Sequence, residues 1–301
     1  MVTFENHPLQ HLRIDYIKDR GTLWYYMQAK QRPSFIMPLL KDIRELQQLV
    51  VDQVSKPHNP PIDYLVLASD TTGVFNLGGD LELFKACIET RDADRLMDYA
   101  RACIDVLYPN AICLGQSVTT ISLVAGQALG GGFEAALSSN VLIAERGTSM
   151  GFPEIMFNLF PGMGAFHLLS MRISSHAAAR LMHSGSILSA EKLYEMGVVD
   201  VLTEPGHGRE AVNNYIRRHK QSRNGHLHIQ KVRSLCCALS YEELLETAHI
   251  WVDAALKLTR SDLRKMGKLV VAQKRLAART GAKNPTSTQE AQLEPSFATS
   301  R

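Results

Sequence analysis

Two glutamates stand out because each is the only charged residue in a stretch of apolar side chains and glycines. Glu134 follows Gly130, Gly131, Gly132 and Phe133 and precedes Ala135, Ala136 and Leu137. Glu154 lies twenty residues on, between Gly151, Phe152 and Pro153 on one side and Ile155, Met156 and Phe157 on the other. A carboxylate buried in such surroundings costs several kcal/mol unless it has a partner or a task. Taken singly, Glu154 also reads as a cap or a hydrogen-bonded loop carboxylate. Taken as a pair, they suggest proton transfer. Apolar walls raise a carboxyl pKa and two neighbouring acids push their values apart, which leaves one acid and one base near neutral pH.

The glycines carry the second half of the chemistry. Three in a row after a strand let the backbone approach a ligand closely and leave the first amides of the coming helix unpaired. A tight strand-to-helix turn explains the triplet equally well. A dinucleotide site is disfavoured, since GxGxxG is matched only loosely and no acidic residue ends a later strand about 20 residues on. A similar junction runs through Asn76, Leu77, Gly78, Gly79 and Asp80. Amides from the two junctions facing each other would converge on one carbonyl oxygen, an oxyanion hole worth about 3 kcal/mol per donor. Asp80 fits a helix N-cap better than a catalytic role. No Ser-His-Asp or Cys-His pattern offers a separate hydrolytic nucleophile.

These segments need a scaffold. Residues 12–17 and 23–29 read as two strands of a hairpin turned at Lys18, Asp19, Arg20 and Gly21. After Pro33 the apolar period becomes helical, from Leu39 to Val54. Residues 64–68, 120–124 and 141–144 are short continuous apolar strands of the kind buried on both faces. Residues 81–107 and 133–137 read as helices. Strand, glycine turn and helix in repeating order predict an α/β fold with ligand-binding turns at strand ends. From about Arg209 the chain becomes almost wholly helical, with residues 241–258 and 261–279 the clearest amphipathic stretches. The last twenty residues or so lack apolar periodicity and are expected to fray. No internal repeat or long linker divides the chain, which predicts one domain with a helical C-terminal extension.

Composition narrows the partners. In 301 residues, 33 Lys and Arg stand against 30 Asp and Glu, so no dense basic field points to nucleic acid. Basic clusters at Arg217, Arg218, His219 and Lys220 and at Arg264, Lys265 and Lys268 read as solvated helix faces or as docking points for an acidic partner. No apolar run approaches the roughly 20 residues that cross a bilayer, and residues 1–16 lack a signal layout, so a cytoplasmic protein without membrane insertion is expected. The five cysteines lack CxxC spacing and the eleven histidines lack HExxH spacing. No metal is expected, and the thiols read as buried and free.

The segments 74–81, 126–137 and 151–164 resemble, in order and spacing, the crotonase or enoyl-CoA hydratase/isomerase superfamily. The resemblance implies a ββα spiral core over residues 1–208, a helical region over 209–280 and a disordered tail over 281–301. It implies oxyanion donors at Gly79 and Gly131, catalytic glutamates at Glu134 and Glu154, and no cofactor. Pro161, Gly162, Met163 and Gly164 match the family's Pro-Gly-x-Gly turn. Within the superfamily, segments 74–81, 128–138, 159–165 and 250–253 look like the synthases of diffusible signal factor, the cis-2-unsaturated fatty acids of bacterial signalling. Asn158 and Ala165 stand where glycines are usual and Met163 where alanine is common, which suits a pocket reshaped for a medium-length acyl chain. Phe160, Met163, Trp251 and Leu269 are expected to close that pocket, although Trp251 alone reads equally as core. The likeness implies an acyl carrier protein thioester as substrate, a membrane-bound sensor histidine kinase as regulatory partner, and a homo-oligomer, trimer or hexamer. Two other readings stay open: a CoA-dependent enoyl hydratase or isomerase, and a non-catalytic acyl-binding or kinase-binding protein.

Overall fold

The structure is a computed structural model that describes residues 9–30, 32–56 and 61–281, with side chains as far as Val271. The hairpin forms as the sequence indicates: β1 (Leu12–Ile17) pairs antiparallel with β2 (Thr22–Met27), and Gly21 turns the chain at φ 56. After helix α1 (Met37–Val54) come β3 (Tyr64–Ser69) and the short β4 (Val74–Asn76). The helix expected over 81–107 is two helices, α2 (Leu81–Thr90) and α3 (Ala93–Ala111). Arg91 breaks it at φ 56, and Asp92 then caps α3 by accepting from the Arg95 amide. The Arg91-Asp92 pair follows helix-stop and helix-start chemistry, which the apolar period alone overruns.

Next come β5 (Thr119–Val124), β6 (Gln127–Leu129), α4 (Gly131–Leu137), β7 (Val141–Glu145) and β8 (Ser149–Gly151). They are followed by α5 (Ala165–Ser170), α6 (Ser175–Ser184), β9 (Ile187–Ser189), α7 (Ala190–Glu195) and β10 (Val201–Thr203). One sheet has the order β1-β2-β3-β5-β7-β10 and a second the order β4-β6-β8-β9. Thus β3 and β4, β5 and β6, and β7 and β8 each give one strand to each sheet before a helix, which is the repeat of a spiral. The second sheet is invisible in the sequence because its strands hold only three residues each.

The central strands of the first sheet, β2, β3, β5 and β7, are buried on both faces, and side-chain alternation sorts their residues into two cores. Leu23, Tyr25, Leu65 and Leu67 join the large core with α1 and α3, whereas Trp24, Tyr26, Tyr64 and Val66 pack beneath Val212 and Ile216. Those last two lie on α8 (Gly208–Gln221), the first of four helices completed by α9 (Arg223–Cys236), α10 (Tyr241–Leu256) and α11 (Arg260–Gly281). Apart from Gly281, the tail expected over 281–301 lies outside the described residues. Among the described residues no helix is long and apolar enough to cross a membrane. Of the five free thiols, Cys87 and Cys103 are buried and Cys113 is half-buried, but Cys236 and Cys237 are exposed at the end of α9, contrary to expectation.

Candidate active site

Glu134 sits in the first turn of α4, a helix whose seven residues are all buried. The helix begins directly after Gly130, which adopts φ 53 and ψ −127. A Cβ built there would lie 2.2 Å from Glu154 Oε1, so glycine is required both for the backbone and for the closeness of the second acid. Glu134 Oε1 accepts hydrogen bonds from the amides of Met163 at 2.8 Å and Ala165 at 2.9 Å. The Pro-Gly-x-Gly turn is therefore tied to the first carboxylate. Burial pushes the Glu134 carboxyl up to about 7, and the two amide donors limit the rise by stabilising its anion.

Glu154 lies in a short 3-10 helix, Pro153–Phe157, that ends at Asn158 in the left-handed region, φ 62. Asparagine is among the few non-glycine residues that adopt that conformation readily. The Glu154 Oε2 atom is buried and has no hydrogen-bond partner. Burial, followed by the neighbouring charge of Glu134, pushes its carboxyl up to about 8. The two acids titrate as a pair, and Glu154, which lacks the two amides that stabilise the Glu134 anion, holds its proton longer.

The Gly79 loop adjoins the start of α4. A Cβ on Gly131 would lie 3.6 Å from the Gly79 nitrogen, and one on Gly78 would lie 3.1 Å from the Gly131 nitrogen. The amides around Gly79 are engaged: that of Gly78 donates to Asn76 Oδ1 at 2.8 Å and that of Asp80 donates to the Tyr99 hydroxyl at 3.0 Å. For Gly79 and Gly131 themselves, no acceptor is found among the described residues. Asp80 takes the capping role, accepting from the Leu83 amide at 3.0 Å.

These four residues, Gly79, Gly131, Glu134 and Glu154, line one cavity of about 470 Å³. The structure brings Phe160, Met163, Trp251 and Leu269 to the same cavity. It adds wall residues that the sequence did not single out, chiefly Phe84, Tyr99, Phe157 and Leu159. Phe84 and Tyr99 recur at helical spacing, a pattern shared with every core residue of α2 and α3, so no signal set them apart. The Phe84 ring meets Trp251 edge-on at 4.8 Å and Tyr99 at 5.2 Å. Of the three departures from the family pattern, only Met163 lines the cavity. Its sulfur would lie 2.8 Å from a Cβ on Gly131. Asn158 is exposed and Ala165 is buried behind Glu134, so neither reshapes the pocket as the sequence suggested. Cys103 also reaches the cavity, but burial pushes its thiol up, away from a nucleophilic thiolate.

Two hydrogen-bond donors without acceptors beside one buried and one half-buried acid can polarise a carbonyl and move protons on the carbons next to it. The family described as enoyl-CoA hydratase/isomerase matches residues 53–278. The chain is 26% identical over 175 residues to the enoyl-CoA isomerase/hydratase fer4 of Mycosarcoma maydis, covering 58% of this chain and 61% of that protein. The match to a second curated relative, YhaR of Bacillus subtilis, spans 51% of that protein at 30% identity. Among solved structures, an enoyl-CoA hydratase from Bacillus halodurans superposes with TM-score 0.71 at 19% identity, covering 86% of this chain and 99% of that one. Pseudomonas aeruginosa DspI superposes with TM-score 0.58 at 21% identity, covering 80% and 93%.

Proposed function

The chain belongs to the enoyl-CoA hydratase/isomerase family, and from that premise we propose that it converts a 3-hydroxyacyl carrier protein thioester into a free cis-2-unsaturated fatty acid of the diffusible signal factor type. The observation that carries this reading is the shared cavity: a buried carboxyl raised to about 7, Glu134, and a half-buried one raised to about 8, Glu154, stand beside the free amides of Gly79 and Gly131 in an apolar chamber. The thioester carbonyl would accept from both amides, which lowers the cost of enolate charge. Glu134, its anion stabilised by two backbone donors, takes the proton from C2. Glu154, which holds its own proton longer, gives it to the 3-hydroxyl, the C3–O bond breaks and water leaves. In the second step Glu154, now a carboxylate, takes a proton from a water that attacks C1. The carbonyl oxygen charge falls again on the two amides; as the tetrahedral intermediate collapses and the C1–S bond breaks, Glu134 gives the proton it took from C2 to the departing carrier thiolate, and both acids return to their starting states.

The names of the curated relatives favour a second reading, a CoA-dependent hydratase or isomerase that stops at the enoyl thioester. A non-catalytic acyl-binding or kinase-binding protein has no use for two acids held unneutralised in an apolar chamber, and desolvation weighs against keeping them. Turnover of matched 3-hydroxyacyl thioesters of carrier protein and of CoA, followed by mass spectrometry of the products, separates the first two. Free cis-2-enoic acid released from the carrier thioester is the expected result. A product that remains a trans-2-enoyl-CoA, with no acid from either thioester, would remove the synthase reading.

A further inference from the structure

The Gly79 amide can act on a carbonyl only if its loop is held still, and the structure shows how that is done. The loop is braced from one side by residues 32–36: the Leu77 amide donates to the Pro33 carbonyl at 2.7 Å and the Phe35 amide donates to the Gly78 carbonyl at 2.8 Å. Arg32 forms an ion pair with Asp80 at 2.5 Å. From the other side the Phe84 ring packs on Gly79, and a side-chain hydroxyl supplies the hydrogen bonds. The Tyr99 hydroxyl, on α3, donates to the Phe35 carbonyl at 2.6 Å and accepts from the Asp80 amide at 3.0 Å. It thus joins the brace to the residue that follows Gly79.

We infer that Tyr99 is a positioning residue for the oxyanion site, its hydroxyl fixing the Gly79 N–H direction by pinning the peptide next to it to the Phe35 carbonyl. The inference rests on the reading of Gly79 as an oxyanion donor. Three observations favour positioning over mere packing. Tyr99 is 3% exposed, and its ring already packs against Phe84, which would fill the same space in a phenylalanine. The hydroxyl lies among polar backbone atoms of two separate segments rather than at the surface. Burial pushes the phenol well above its ordinary value, so it stays a donor throughout the working range.

Tyr99→Phe removes only the oxygen. The test is the carbonyl stretch of bound decanoyl-pantetheine, isotope-labelled at the thioester carbon, together with kcat and KM on a 3-hydroxyacyl thioester. In the unaltered protein the bound band should shift to lower frequency than in water. In Tyr99→Phe most of that shift should be lost and kcat should fall about tenfold with KM nearly unchanged, a part of the about 10²-fold or more lost when a whole oxyanion donor is removed. Ile104→Val, a core change on the same helix, should lower the melting temperature and leave the band in place. Should Tyr99→Phe fail to fold, Arg32→Gln releases Asp80 from the opposite side and is read by the same band. A full shift retained in a folded Tyr99→Phe overturns the role of Tyr99 alone. No shift even in the unaltered protein overturns the reading of Gly79, and the inference with it.

Discussion

Glu134 and Glu154 are chemically alike and differ in what touches them. Glu134 accepts from two backbone amides, whereas Glu154 Oε2 meets no donor, and in the proposed mechanism this contrast divides base from acid. Activity should therefore fall below pH about 7, as Glu134 gains a proton, and above about 8, as Glu154 loses one. Glu134→Gln and Glu154→Gln should each slow dehydration about 10²-fold or more and abolish one limb of that profile. Near-normal turnover in either variant would take that residue out of the mechanism. Linkage gives these variants a second signature. Both carboxyls lie above their ordinary 4.5 in the folded chain, so the native state binds more protons and loses stability as pH rises from 4.5 through about 7 and 8. A glutamine carries no such cost, so both variants should melt no lower than the parent at the alkaline end. A steep loss there would mean that the charged forms stabilise the fold.

At the scale of elements, α10 contributes Trp251 to the cavity wall. Trp251 packs so closely on the Pro-Gly-x-Gly turn that a Cβ on Gly162 would lie 2.5 Å from its ring, and it closes the chamber edge-on to Phe84. The same side chain is 5% exposed and belongs to the large core. Trp251→Ala should cost stability of about 3 to 5 kcal/mol, as large-to-small core changes do. It should also open the chamber and move the preferred acyl chain to greater length, measured by competition among thioesters of different length. A lower melting temperature with the same chain preference would make Trp251 core alone. The helix break at Arg91 and Asp92 belongs to this scale too. By dividing α2 from α3 it lets Phe84 and Tyr99, on separate helices, line the same cavity and meet at 5.2 Å.

The described residues form two cores, and the smaller one holds α8, the first helix of the helical region, to the sheet, while α10 and α11 pack in the larger. His219 of α8 is 4% exposed, with its ring 2.9 Å from the Tyr64 hydroxyl and stacked on His226 at 4.2 Å. Burial, then the charges of His226 and Arg223, pushes it down from 6.5 to about 4. An unfolded or detached helix takes up the proton near 6.5, so this contribution is present above that pH and is lost as pH falls towards 4. Trp24 lies in the same core, 5.0 Å from the Arg209 guanidinium of α8. In a Trp251→Phe background Trp24 is the remaining tryptophan, and its emission should shift as pH is lowered from 6.5 to about 4, less so when His219→Gln is added. An identical acid response with and without His219 would place the weak point elsewhere.

Residue type and local spacing determined what is local. Lone acids in apolar runs marked Glu134 and Glu154, glycine clusters marked the turns at Gly79 and Gly131, and continuous apolar runs marked β3, β5 and β7. These signals are legible because burial of charge, backbone freedom and two-sided burial each restrict residue choice at the position itself. Tertiary structure decided everything that depends on convergence. Strands of three residues carry too little pattern to announce a second sheet, yet that sheet carries β4 and β6, which lead into the Gly79 loop and the start of α4. Phe84 and Tyr99 share the helical period of ordinary core residues, and only the packing of α2, α3 and α10 turns them into cavity wall. Asn158 and Ala165 look like pocket residues in sequence but face solvent and the back of Glu134, because neighbours along a turn point in different directions. The proton order proposed for the two acids likewise rests on tertiary structure, since a turn beginning 27 residues after Glu134 delivers two amides to that carboxylate, a convergence that local spacing does not encode.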